Sequence, residues 1–479
     1  MRPLLLSQIA RMAGGRLHGN DVMIDAVATD TRALPGGRAL FIALKGERFD
    51  GHDHVATAAQ GGAAAALVSR ELDVATVGGT LPQIVVADTE RALAAFAAAV
   101  QRERSTKVIA ITGSNGKTSV KTLALAILSR VGSTYANPGN RNNEIGLPLA
   151  VLDAPEDAAF AIYEMGAGKP GDIAYLTVVA QPDVAVVNNI APAHLERMGS
   201  LLGVADTKGA IYDALPVDGV AAINADDAFA PFFAEHAHGR RLIRFGLDTS
   251  ADITARDVRL GAEGSHFTLV TPAGKAEIAL ALPGRHNVLN ALAATSLALG
   301  AGAGLTAIRE GLDAAQPVAG RLISHRLGNG AVLIDDSYNA NPGSLNAAID
   351  TLASGGGEAW LALGDMRELG VDAELLHAEA GRRAKAAGIA RLYALGPLSA
   401  HAVRAFGDGA RHFESHAELA DALRADLHAG VRCLVKGSRG SAMDRIVTAL
   451  LSGGDEPRLR TATGSSRGEE RPEGQGDAN

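Results

Sequence analysis

The stretch from Ile111 to Ser119, ITGSNGKTS, constrains this chain more than any other. Val108-Ile109-Ala110-Ile111 is an apolar, β-branched run that reads as a buried strand, and it breaks at Gly113-Ser114-Asn115-Gly116. From Lys117 onward the apolar positions Val120, Leu123, Ala124, Ile127, Leu128 and Val131 recur at the i, i+3, i+4 spacing of one helix face. Strand, glycine-rich turn, Lys-Thr and helix together predict a phosphate cradle. The amides of the turn and the positive end of the helix dipole converge there on anionic oxygens. Lys117 supplies a point charge for the outer phosphates and the Thr118 hydroxyl a ligand for magnesium. Gly113, Ser114, Asn115, Gly116, Lys117, Thr118 and Ser119 are therefore candidate nucleotide-binding residues. The spacing, G-x-x-G-K-T, is two residues shorter than the common P-loop pattern.

The chain has 479 residues, which predicts about three domains. Apolar residues at 47% and charged residues at 20% describe a globular enzyme rather than a disordered or membrane chain. A net charge of -8 argues against general affinity for nucleic acid. The single cysteine, Cys433, excludes an intramolecular disulfide and fits a reducing compartment. No run reaches the length of a membrane span, and the first residues lack a signal-peptide core, so the cytoplasm is expected.

Alternating strand and helix signals predict an α/β fold of three domains, with boundaries at 1–104, 105–315 and 316–452 and a disordered tail over 453–479. In the first, Ala39 to Leu44, Ala64 to Val68 and Ile84 to Ala87 read as strands and Val55 to Gln60 as a helix. An alanine-rich helix from Glu90 to about Arg104 links it to the next unit. Two of its loops, Asp30-Thr31-Arg32 and Lys45 to His52, offer cations and donors beside strand ends, as a pyrophosphate or uracil-like ring requires. The second begins with strands at Val108–Ile111, Phe160–Tyr163, Val184–Val187, Ala221–Ile223 and Leu242–Phe245. These near-continuous apolar runs belong to a parallel sheet covered on both faces. Asp252 to Leu282 alternates as an antiparallel flap should. The third has strands at Val332–Ile334, Trp360–Leu363, Leu392–Leu395 and Leu434–Val435, a Rossmann-like sheet without the G-x-G-x-x-G fingerprint.

Polar residues gather after the carboxyl ends of these strands, where open α/β sheets bind ligands. Glu164, next to a buried strand and in the same sheet as the cradle, suits magnesium. His194 is a further ligand if it lies near Glu164. Lys208 falls in a helical pattern and on its own reads as an exposed charge. Asn287 and Asn290 share a helix face and could cap it or match the edge of adenine. Arg321 and Asp336 lie in the third domain, so a nucleotide role for them requires two domains to close together. The pattern suggests phosphoryl transfer without naming the acceptor.

The order of ITGSNGKTSVK, NPGNRNNEIGLP, YEMGAG, NNIAPAHLERMGS, TKGAIYDAL, LPGRHNVLNALAA, DDSYNANPGS, LGDMRELG and VKGSRGSAM along nearly the whole chain resembles the Mur ligase family. Within it, the last three motifs resemble members that add D-alanyl-D-alanine to UDP-N-acetylmuramoyl-tripeptide. The resemblance implies an ATP-dependent amide ligase of peptidoglycan precursor synthesis that works through an acyl phosphate, with ATP and Mg2+ as cofactors and, as expected here, as a monomer. Lys117, Glu164, His194, Lys208 and Arg321 would be catalytic. Thr118 and Glu164 would hold magnesium, and His194 would help hold a second metal. In sister ligases the lysine at the position of Lys208 is carbamylated and joins that second metal. Asn287 and Asn290 would contact adenine, while Arg321 and Asp336 would reach the nucleotide. Thr31, Arg32, Lys45, Gly46, Asp50 and His52 would hold the UDP end; Asn339, Asp365, Lys436, Ser438 and Arg439 would border the dipeptide. Departures from the family pattern fall at Met198, at Ala191-Pro192 and at Ala210. A folylpolyglutamate synthase-like ligase and a non-enzymatic nucleotide-binding regulator are the alternative readings.

Overall fold

The computed structural model describes residues 1–46, 49–77, 79–192 and 195–452. The expected tail at 453–479, His194, and Glu47 and Arg48 of the amino-terminal loop lie outside the described residues. Around the phosphate loop stands a six-stranded, wholly parallel sheet. From one edge its strands are Arg241–Phe245, Val220–Asn224, Val184–Val187, Lys107–Thr112, Phe160–Glu164 and Thr134–Ala136. The Lys107–Thr112 strand is central and buried over five of its six residues, as a strand covered on both faces must be. Glu164 pairs in register with Ile111 and closes its strand instead of following it. That extra residue sets the carboxylate directly beside the phosphate loop.

Each face of this sheet is covered differently. On one, the helix Thr89–Arg102 is capped by Asp88, whose carboxylate accepts from the amides of Glu90 and Arg91. This helix is more than a linker. A single apolar core runs from Leu6, Leu40 and Leu67 through Phe96 to Ala110 and Tyr163, so the amino-terminal and central sheets are packed through it. Arg104, expected at the helix end, instead turns out of it and donates to the Val151 and Ala154 carbonyls and to Glu156. On the other face lie the helices Lys117–Leu128, Arg285–Gly300 and Leu305–Ala314, with Phe267, Leu269 and Ile278 of the three-stranded antiparallel flap.

The amino-terminal sheet has the order Arg16–His18, Gln83–Val85, Ala65–Val68, Ala39–Ile42, Ala26–Ala28, with the first strand antiparallel. The carboxy-terminal sheet has the order Ile323–Arg326, Val332–Asp336, Val431–Lys436, Glu358–Gly364, Arg391–Leu395, Ala410–Phe413, antiparallel only at Ile323–Arg326. Its two edge strands are additions to the sequence expectation. Ile323–Arg326 alternates between half-buried and exposed, and Ala410–Phe413 buries only Phe413, so neither carries an apolar run to read. Cys433 lies in this domain's core, where burial pushes its thiol up to about 12. Among the described residues, no helix is long and apolar enough to cross a membrane.

Gly311 shows how closely the phosphate-loop helix is held. A Cβ there would stand 2.5 Å from the Ile127 Cα and 2.8 Å from the Ile127 nitrogen. Backbone cannot yield as a side-chain tip can, so Gly311→Val should destabilise the protein by about 1–3 kcal/mol. Chemical denaturation followed by far-UV circular dichroism checks this; an unchanged midpoint would contradict the packing.

Candidate active site

The phosphate loop takes its shape from two glycines and a set of asparagines. Gly116 has φ +78°, and a Cβ on it would meet Asn290 Oδ1 at 2.4 Å and Asn188 Nδ2 at 2.5 Å. Only glycine combines that conformation with that clearance. Gly116 is also the N-cap of the Lys117–Leu128 helix and has no side chain to cap it, so the first-turn amides remain available to an anion. The preceding turn is fastened to the next strand's end. The Ser114 amide donates to the Asn189 carbonyl, the Asn115 amide donates to Asn189 Oδ1, and Asn188 Nδ2 donates to the Asn115 carbonyl. Asn188 Nδ2 also donates to Asn290 Oδ1, and Asn290 Nδ2 to Asn287 Oδ1. The expected adenine-edge pair is thus buried and already tied to the phosphate loop.

Glu164 is the electrostatic centre. It is 4% exposed, and one carboxylate oxygen accepts from Thr118 Oγ1 at 2.9 Å while the other accepts from Asn142 Nδ2 at 3.0 Å. Burial by itself would raise this carboxyl. The ammonium groups of Lys117 and Lys121, with the two hydrogen bonds, outweigh that and hold it below the usual range. Lys121 was not singled out by the sequence. It is buried, lies 3.4 Å from Glu164, and donates to the Asn137 and Gly139 carbonyls. Its position four residues after Lys117, on a helix face otherwise apolar, is the signal that could have found it. Asn137 brackets the Glu164 main chain, donating to its carbonyl and accepting from its amide.

Lys117 donates to the Gly113 carbonyl at 2.7 Å. Burial lowers its basicity, Glu164 opposes this, and Arg321 adds to the lowering. Lys208 is a correction: it is 1% exposed on the helix Leu201–Asp213, not a surface charge. Burial, and then the nearby Lys117 charge, drive it well below the ordinary lysine range. It makes no side-chain hydrogen bond or ion pair with another described residue.

The third domain is docked on the loop. Arg321 donates from Nη2 to Thr118 Oγ1 at 2.9 Å, and its Nε is buried without a partner. Asn341 donates from Nδ2 to Asn115 Oδ1 at 2.7 Å while capping its own helix, Pro342–Ala353. Between the domains lies a cavity of about 690 Å³ lined by Lys117, Thr118, Glu164, Asn290, Arg321 and Asp336, among others. Lys436 Nζ lies 2.5 Å from Asp336; burial raises this carboxyl, and the ammonium works against the rise. Asn339 and Arg439 also face the cavity.

Other expected residues serve locally. Asp365 accepts from the amide and hydroxyl of Ser399 at the start of a helix, and Ser438 Oγ accepts from the Arg367 amide and donates to the Ala340 carbonyl. In the amino-terminal domain, His52 is 4% exposed with both ring nitrogens engaged, one by Asp50 and one by the Ser69 amide, leaving neither for a ligand. Arg32 pairs with Asp30, while Thr31, Lys45 and Gly46 lie at the same sheet end, away from the cavity. Among the described residues no three His, Cys, Asp or Glu side chains converge as a metal cluster. A hydroxyl and a carboxylate 2.9 Å apart in a phosphate site nevertheless match a cation that takes most of its oxygen ligands from phosphate and water.

His286 lines the cavity from the central domain, next to Gly284, whose Cβ would meet Thr351 of the third domain. Burial, and secondarily the Lys436 charge, lower it to about 4. A histidine with a depressed pKa disfavours the folded state as it protonates. The docked protein should therefore lose stability as the pH falls from about 6.5 toward 4. Melting temperatures across that range should fall less steeply in His286→Asn than in the unsubstituted protein.

Comparison with known proteins agrees with this geometry. Residues 23–101, 111–298 and 320–439 match the family descriptions "Mur ligase family, catalytic domain", "Mur ligase middle domain" and "Mur ligase, glutamate ligase domain". The UDP-N-acetylmuramoyl-tripeptide–D-alanyl-D-alanine ligase of Escherichia coli is 43% identical over 95% of this chain and 100% of its own. The crystal structure of MurF from Acinetobacter baumannii superposes with a TM-score of 0.89 at 33% identity, over 94% of this chain and 99% of that one. MurF from Thermotoga maritima, solved in complex with ADP, gives a TM-score of 0.80 at 26% identity, over 89% and 97% of the two chains. With all three segments matched and such relatives aligned nearly end to end, the chain belongs to the Mur ligase family.

Proposed function

We propose that this chain is the ATP-dependent ligase that joins the terminal carboxylate of UDP-N-acetylmuramoyl-tripeptide to the amine of D-alanyl-D-alanine, in peptidoglycan precursor synthesis. The observation that carries the chemistry is the cavity where Lys117, Thr118 and Glu164 of one domain meet Arg321 of another. The relatives' names carry the substrates. A carboxylate is a poor electrophile, so the tripeptide carboxylate first attacks the γ-phosphorus of ATP, ADP leaves, and an acyl phosphate forms. The dipeptide amine, as the free base, then attacks the acyl carbon; the nitrogen gives up a proton, the C–O bond breaks, and phosphate departs with its electrons.

Lys117 would swing from the Gly113 carbonyl to the phosphates, and the first-turn amides would hold their oxygens. The partnerless Arg321 Nε supports a contact to the same group from the third domain. Asn287 and Asn290 would present amide atoms to adenine, and Asp336 would face the nucleotide. Thr118 and Glu164 would hold Mg2+, which supplies charge neutralisation for the attack of one anion on another. The buried Lys208 amine, disposed to be uncharged, suits carbamylation at a second metal. The docked third domain excludes water that would hydrolyse the acyl phosphate.

Residues 1–104 would hold the UDP end through the loops at Thr31-Arg32 and Lys45-Gly46, residues 105–315 the ATP, and residues 316–452 the dipeptide. The working unit proposed is a monomer. The soluble substrates and ATP place the reaction in the cytoplasm.

ADP release measured with each substrate omitted in turn is the direct test. Turnover should require ATP, the UDP-linked tripeptide and D-alanyl-D-alanine together; turnover without the dipeptide would refute the acceptor. Lys117→Ala should lower kcat by at least about a thousandfold and leave binding of the UDP substrate within about twofold by calorimetry. Retained turnover would remove Lys117 from the phosphate site.

A further inference from the structure

Two guanidinium groups rest on one aromatic ring at the cavity wall. Arg321 lies 4.5 Å and Arg439 lies 5.5 Å from the centroid of Tyr338. The residue is held at its main chain: the Tyr338 amide donates to the Gly320 carbonyl, and a Cβ on Gly320, at φ +72°, would stand 3.2 Å from the Tyr338 Cβ. The cavity-lining cations of this domain differ in what they face. Arg321 is bonded to Thr118 and Lys436 to Asp336. The Arg439 guanidinium makes no hydrogen bond or ion pair with a described residue; its main chain is anchored, the amide donating to Asn339 Oδ1 and the carbonyl accepting from the Ala442 amide. It stands at the cavity with its donors free and the Tyr338 ring as its support.

We infer that Tyr338 is a positioning residue that aims Arg439 at the unreacting carboxylate of the acceptor dipeptide while holding Arg321 toward the phosphates. This rests on the ligase reading above and deepens it. The dipeptide carries one carboxylate that takes no part in bond formation, and a guanidinium matches a carboxylate with two parallel hydrogen bonds. Through their common ring the two guanidiniums stand no more than about 10 Å apart, and an extended dipeptide separates amine from carboxylate by about 7 Å. A carboxylate bound at Arg439 would thus leave the amine able to reach the Arg321–Thr118 end, where the acyl phosphate would form. Stacking on the ring removes rotamer freedom from a side chain that solvent would otherwise disorder.

The test compares kcat/KM for D-alanyl-D-alanine with that for its carboxamide, D-alanyl-D-alaninamide, at saturating ATP and UDP-tripeptide. The unsubstituted protein should prefer the carboxylate form by on the order of a hundredfold. Arg439→Gln should reduce that preference to below about threefold, through KM for the dipeptide, with KM for ATP within about twofold. Tyr338→Leu should weaken the preference by on the order of tenfold and raise KM for ATP as well, and Tyr338→Phe, which keeps the ring, should recover most of both. A preference that survives Arg439→Gln overturns the assignment of the carboxylate. Equal losses in Tyr338→Phe and Tyr338→Leu overturn the role of the ring. If the unsubstituted protein turns over with neither dipeptide form, the ligase reading itself fails and this inference with it.

Discussion

An ionised carboxylate at the end of a buried strand is tolerated only where other groups replace the water it has lost. Glu164 is in that position, and the surrounding structure supplies the replacement. Lys117 and Lys121 come from one helix, Thr118 from its first turn, and Asn142 and Asn137 from the loop beyond the neighbouring strand. These are placed by the register of Phe160–Glu164 on Lys107–Thr112 to one side and on Thr134–Ala136 to the other. A slip of one residue would send the carboxylate to the opposite face of the sheet. The phosphate loop, the Asn137–Gly139 turn and the helix that follows the loop are thus held in place around one charge.

The same cluster explains why the third domain docks where it does. Thr118 has one proton to give and lone pairs to accept with. It gives the proton to Glu164 and accepts from Arg321, so the interdomain contact and the expected metal site share one hydroxyl. Asn341 makes the second bridge, to Asn115 on the loop itself. Closure of the third domain and order in the phosphate loop are therefore coupled through short polar contacts rather than through a broad apolar interface. Arrangements of that kind open and close at modest energetic cost. On the other side the linkage is of a different nature. The helix Thr89–Arg102 is buried in a core common to the amino-terminal and central sheets, so those two are bound together by apolar packing.

How far the sequence could be read followed from how local each signal is. The inner strands of the central sheet are apolar on both faces, and their runs stood out to within a residue of their ends, whereas the half-buried edge strand Thr134–Ala136 was not read. The edge strands Ile323–Arg326 and Ala410–Phe413 bury only part of their residues and left no run to see. Lys208 read as a surface charge because a helix pattern says which residues share a face, not what the face meets; the packed helix encloses it. Asp365 and His52 read as ligand-facing because they follow strands. In the folded chain Asp365 caps a helix at Ser399 and His52 bridges Asp50 and Ser69. A strand end offers a polar residue both uses, and only its neighbours choose between them.

The sequence by itself determined the parts whose physics is local. These are the strand–loop–helix cradle with its glycines, the three α/β units, and, through the order of motifs along the chain, the family. The tertiary structure alone decided which charges meet. Thr118 and Glu164, 46 positions apart in sequence, and Thr118 and Arg321, 203 positions apart, are brought to hydrogen-bond distance by sheet register and domain docking. Hydrophobic periodicity carries no record of such distances, because it reports burial along one element and not the partner brought against it. The loop that announces a phosphate site is written in the sequence; the clustering of Glu164, Lys121 and Arg321 around it is a consequence of the fold.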